Sequence, residues 1–159
     1  MTRTRKAYTM KDFQSFHITC KGLIFHGNRF LLHRANDPEF FGALECPGGR
    51  VNEGEIIENS LKRELFEEIE LDLDTTQHTI ELFAMNQRDA VEYDWDEKTE
   101  IIELYYKIVI PEDVPFEPKE LEEVSSLEWI DLQTDLDEYP YRVESRKAIY
   151  KKAQKSLSK

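Results

Sequence analysis

Glu64, Glu67 and Glu68 stand at i, i+3 and i+4 inside the run GRVNEGEIIENSLKRELFEEIEL, residues 49–71, and this spacing constrains the chain more than any other feature. On a helix those positions are neighbours, and like charges placed there destabilise it. The apolar residues nevertheless keep helical period. At about 100° per residue, Ile57, Leu61, Leu65 and Ile69 form one stripe, the face that packs on a core, and a helix is predicted over 56–69. Glu64 and Glu68 fall at or beside that stripe, and Glu67 one step further round. Asn59, Lys62, Phe66 and Glu70 take the solvent side. A solvated charged face would explain many acidic helices, but carboxylates at a core margin need partners. The basic residues at hand, Lys62 and Arg63, are too few for all three. A divalent cation that prefers oxygen ligands is the better account. A tight Pro47-Gly48-Gly49 turn stands just upstream.

The full spacing is Gly49, five residues, Glu55, seven residues, Arg63-Glu64, the apolar Leu65, one residue, Glu67-Glu68, one residue, position 70 and the apolar Leu71. This resembles the Nudix box, with Glu70 where the family pattern has Gly. The box spans 23 of 159 residues. Upstream, Phe30-Leu31-Leu32-His33-Arg34-Ala35 and Leu44-Glu45-Cys46-Pro47-Gly48-Gly49 resemble the segments that precede the box in MutT-like members; beyond the box the likeness is weaker. The resemblance implies an α/β/α sandwich with a mixed sheet between helices and the box as loop–helix–loop. It also implies Mg²⁺ or Mn²⁺ held by Glu64, Glu67, Glu68 and the Gly49 carbonyl, with Arg63 paired to Glu55 as a structural brace. By the same likeness Arg34 would bind substrate phosphate, which a guanidinium does well. Glu123, six residues before Trp129 and flanked by Glu120 and Glu122, matches the place of a further metal-site acid. In so acidic a chain it reads more readily as a solvated loop residue.

Glu70 matters for structure more than for chemistry. The residue after a helix often adopts the left-handed conformation that suits Gly, and Glu forced into it costs on the order of 1 kcal/mol. The helix is therefore expected to run on or to end differently. No ligand is lost.

A length of 159 residues suits one domain, taken here as 1–159. With 33 acidic against 21 basic residues the net charge is −12, which argues against broad nucleic-acid binding and against an anionic membrane surface. A polyphosphate would be repelled unless a metal neutralised the site. Cys20 and Cys46 are too few for a disulfide scaffold and read as reduced thiols of a cytoplasmic protein. The N-terminus lacks the apolar stretch of a secretory signal, and no run approaches transmembrane length. Oligomeric state is not legible.

Strands are expected at 15–25 and 29–33 around a His26-Gly27-Asn28 turn, then at 80–85, 101–110 and 127–131. Residues 36–49 and 86–99 read as loops, as do the Pro-rich 111–126. A last helix is predicted over 142–157, with Val143, Ala148, Ile149 and Ala153 as packing positions and a basic end favourable to its dipole. Mixed strands and helices give an α+β class. His17, His26, His33 and His78 lack metal-ligand spacing and receive no role.

Three functions fit. One is metal-dependent hydrolysis of the phosphoanhydride in a nucleoside diphosphate linked to another moiety, a small-molecule nucleotide substrate. A second is MutT-like clearance of oxidised nucleoside triphosphates, weakened because no base-reading Asn stands near Tyr139 to Glu144. A third is a nucleotide-binding regulatory module without turnover, disfavoured by three intact glutamates.

Overall fold

The computed structural model describes residues 7, 13–90, 99–120 and 124–157. Its strands are β1 (Phe16–His26), β2 (Phe30–Ala35), β3 (Leu44–Glu45), β4 (Gly48–Arg50), β5 (Thr79–Asp89), β6 (Glu100–Ile110) and β7 (Val124–Ile130), and its helices are α1 (Ile57–Ile69) and α2 (Ser145–Lys155). The central order is β3-β2-β1-β6-β5, with β4 also on β1 and β7 on β2. Only β1 and β6 run parallel among these pairs, in register from Phe16↔Glu100 to His26↔Ile110. The sheet is thus mixed, with one helix on each face.

Alternation along β1 sorts the two cores, because successive strand residues point to opposite faces. Cys20 and Ile24 join Leu31, Ile108 and the helix residues Leu61, Leu65 and Ile69 on the α1 side. Leu23 and Phe25 join Phe30, Leu32 and Tyr105 with Ile149, Tyr150 and Ala153 on the α2 side. Glycine lets the box approach the sheet. A Cβ on Gly48, at φ +142°, would stand 2.0 Å from the Cys20 carbonyl oxygen, so no other residue fits.

Helix α1 keeps the predicted stripe: Leu61, Leu65 and Ile69 are fully buried and Ile57 is partly so. Helix α2 starts at Ser145, later than predicted, and buries Arg146, Ile149, Tyr150 and Ala153. Ala148 is exposed, a correction to its assignment as a packing residue. Arg146 holds an inner position instead. The loop predicted over 36–49 contains β3 and β4, too short for any periodicity, and β5 runs on to Asp89. Both cysteines are buried free thiols. Among the described residues no helix is long and apolar enough to cross a membrane.

Candidate active site

The box places its carboxylates by local geometry. Arg63 lies on the flank of α1 and donates through Nε and Nη2 to Glu55, at 2.9 and 3.2 Å, a two-pronged pair suited to a guanidinium. Nη2 also reaches the Arg50 carbonyl at 3.2 Å, and Ser60 Oγ donates to the same oxygen at 3.0 Å. The loop leading out of β4 is thereby fastened to the helix. Hydrogen bonds from Arg63 hold the Glu55 carboxyl down to about 2.

Arg63 Nη1 serves two of the three glutamates at once, Glu64 at 2.9 Å and Glu67 at 3.1 Å. Glu64 is half-buried, and burial raises its pKa against the opposing pull of Arg63. Its carboxylate is pressed on Gly49, where a Cβ would come within 2.5 Å of it. Glu68 is buried and accepts from the Gly48 N–H at 3.0 Å. His33 Nε2 lies 3.9 Å from the same Glu68 oxygen. Burial lowers the His33 pKa to about 4, so the ring is neutral at pH 7 and the contact is no ion pair. Sequence spacing gave His33 no role; its place beside Glu68 comes from β2 crossing the box, which no local pattern encodes.

The donor set fits a hard divalent cation. Glu64, Glu67, Glu68 and the Gly49 carbonyl offer oxygen alone, and the residue beneath Glu64 has no side chain to fill the space. Among the described residues, however, no three acidic, His or Cys side chains already converge on one point. Glu64 and Glu67 are turned to Arg63, and Glu68 to the Gly48 amide. Binding one ion requires at least some of these carboxylates to exchange an N–H partner for the metal.

Arg34 is held on the other side of β2. Its Nε donates to Glu128 on β7 at 2.7 Å, and its guanidinium lies over the Tyr139 ring, 5.0 Å from the centroid. Glu123 lies outside the described residues; Glu120 accepts from the Leu127 N–H at 3.0 Å. Beside Glu68 open two cavities of about 350 and 320 Å³, both bordered by Lys21, Glu45, Gly48 and Arg142.

A glycine-lined turn, a braced loop and a helix bearing three carboxylates at its core margin make up the box, and the NUDIX domain family model matches residues 16–151. The chain belongs to the Nudix superfamily. It is 32% identical over 83 residues to the 8-oxo-dGTP diphosphatase of Haemophilus influenzae, a match covering 52% of this chain and 53% of that protein. The chain thus aligns with about half the length of this curated relative. The fold is similar to that of the E. coli dihydroneopterin triphosphate pyrophosphohydrolase, with a TM-score of 0.69 at 16% identity over 91% of this chain and all of the other. It is also similar to a C. elegans Ap4A hydrolase, with a TM-score of 0.61 at 18% identity over 86% and 94% of the two chains. At these identities the structural likeness carries the Nudix fold alone.

Proposed function

We propose that this Nudix protein hydrolyses a phosphoanhydride bond in a nucleoside diphosphate linked to another group, using a divalent metal. The observation that carries the reading is the set of carboxylates at 64, 67 and 68 beside the Gly48-Gly49 turn, on a helix locked to its loop by Arg63 and Glu55. Glu64, Glu67, Glu68 and the Gly49 carbonyl would hold Mg²⁺ or Mn²⁺, with Glu123 as a candidate additional ligand. Bound there, such an ion supplies Lewis acidity toward phosphate oxygens and lowers the pKa of water.

The protein's own groups do the rest. Arg63 fixes the loop against the helix, and the Gly48 amide orients Glu68. Arg34 is a candidate phosphate contact, for which it must leave Glu128. The curated relative acts on an oxidised deoxynucleoside triphosphate, which keeps that narrower substrate as the second reading.

The test is a screen of nucleotides with Mg²⁺ that follows release of nucleoside monophosphate and phosphate. Turnover is expected, and EDTA should abolish it. Tight Mg²⁺-dependent binding with no product from any nucleotide would replace the enzyme by a regulatory module.

A further inference from the structure

The larger consequence lies on the α2 face of β1, next to the box. Thr19 and Lys21 continue the face on which Leu23 and Phe25 pack, beyond the point where α2 can cover it. Strand register sets Thr19 opposite Arg50 and Lys21 opposite Gly48 on one side, and opposite Glu103 and Tyr105 on the other. A threonine and a lysine here replace what the apolar alternation would supply.

Neither has a hydrogen-bond partner among the described residues, although the Lys21 charge acts on Glu103. Thr19 is 6% exposed, and its Oγ1 is buried without a hydrogen-bond partner among the described residues. A buried polar group without a partner is destabilising, so its retention points to a ligand. Lys21 is half-buried and makes no hydrogen bond or ion pair among the described residues. Both border the cavity of about 320 Å³ that opens beside Glu68.

The walls of that cavity carry the sign opposite to the whole chain. Lys21, Arg50, Arg88, Arg142 and Arg146 line it against two carboxylates, Glu45 and Glu68, in a protein of net charge −12. Glu103, behind the wall, must serve both Arg146, at 3.1 Å, and Arg88, at 3.2 Å. Counting it, positive charge still exceeds negative. Among the described residues lining this cavity none is aromatic, and its neighbour has the His33 imidazole alone. Hydroxyl and ammonium donors on a cationic wall suit an oxyanion.

We propose that Thr19 and Lys21 form a phosphate subsite, which takes a phosphate of the substrate other than the two joined by the bond that is cut. This deepens the hydrolase reading and rests on it for the word substrate. Thr19 and Lys21 thereby become specificity-determining residues of that cavity. The subsite itself needs no metal.

The first measurement is therefore titration calorimetry of the full chain with inorganic pyrophosphate in EDTA. Wild type should bind. Lys21→Met and Thr19→Val should each weaken binding about tenfold or more, while Thr19→Ser, which keeps the hydroxyl, should bind within about threefold of wild type. Thermal midpoints check folding, and Lys21→Gln serves if Lys21→Met does not fold. The second measurement compares kcat/KM with Mg²⁺ for paired substrates with and without the extra phosphate; Lys21→Met should erase the preference for the phosphorylated one. Absence of pyrophosphate binding by wild type, or equal binding by the Lys21 and Thr19→Val variants, overturns the subsite. A protein that binds pyrophosphate through Lys21 but turns over nothing keeps the subsite and loses the hydrolase reading. Turnover with selectivity unmoved by Lys21→Met overturns the subsite and leaves the hydrolase.

Discussion

Glu68 is fixed more tightly than its two companions, because its carboxylate is buried, bonded to the Gly48 amide and bordered by neutral His33. Glu67 by contrast is exposed and bound to Arg63. A buried carboxylate is the more valuable to a metal, since charge interactions strengthen away from water. Glu68→Gln should therefore lower kcat at least about a hundredfold, a loss of about 3 kcal/mol in transition-state stabilisation. Steady-state assays beside a thermal melt check it; wild-type turnover in a folded variant would remove Glu68 from the site. Arg34 belongs to a different calculation. It is already paired with Glu128, so any phosphate contact must outbid that partly exposed ion pair, worth about 0–1 kcal/mol. A charge-assisted bond to phosphate exceeds this, and Arg34→Ala should lower kcat/KM about tenfold or more while leaving metal affinity unchanged. Normal cleavage by that variant would leave Arg34 as a brace between β2 and β7.

At the scale of elements, α1 does not run on or end differently at Glu70, as was expected of a residue other than glycine, but takes the strained cap. Glu70 takes φ 57° and ψ 31°, the left-handed region, and its N–H closes on the Leu65 and Phe66 carbonyls. Among the described residues it is the one non-glycine residue with positive φ. Glu70→Gly removes the strain, and the surface pair to Lys119, at 2.6 Å, returns little of it. A stabilisation of about 0.5–1 kcal/mol is expected, read as a higher melting temperature with turnover unchanged. An unchanged or lower midpoint would mean that the Lys119 pair outweighs the strain. The body of this helix was legible because period and stripe are local: Glu64 and Glu68 lie at its buried margin where the 3.6-residue repeat puts them. Strand β5 was legible only to Met85. Asn86 and Arg88 look like loop residues, and their partner Glu103 is on the neighbouring strand, 17 and 15 residues away. Their polarity answers a buried carboxylate. No window along the chain contains both. Thr19 and Lys21 were hidden for the same reason, since the cationic cavity is assembled from β1, β3, β4, β5, both helices and the approach to α2.

For the molecule as a whole, Glu103 is the joint between sheet and helix. It is fully buried on β6 and accepts from Arg146 of α2, from Asn86 of β5 and from the Tyr105 hydroxyl. Arg146 also lies 3.6 Å from Glu45 of β3, and Arg142 2.8 Å from it, so one ionic network ties α2 to both halves of the sheet. Burial pushes the Glu103 pKa up, but its hydrogen bonds and charge contact with Arg146 outweigh this and leave it at about 2, below the usual 4.5. A carboxyl depressed by folding stabilises above its unfolded pKa and loses that contribution as pH falls through the folded value. The contribution of Glu103 is therefore complete above about pH 5 and declines between about 4.5 and 2. Glu103→Gln should cost about 3–5 kcal/mol at pH 7, because two buried guanidiniums lose their shared carboxylate. Chemical denaturation at pH 7 and at pH 3 checks both parts. The wild-type advantage over Glu103→Gln should shrink at the lower pH; a gap constant across that range would mean that Glu103 is held by packing and neutral hydrogen bonds, with its charge contributing nothing to the joint.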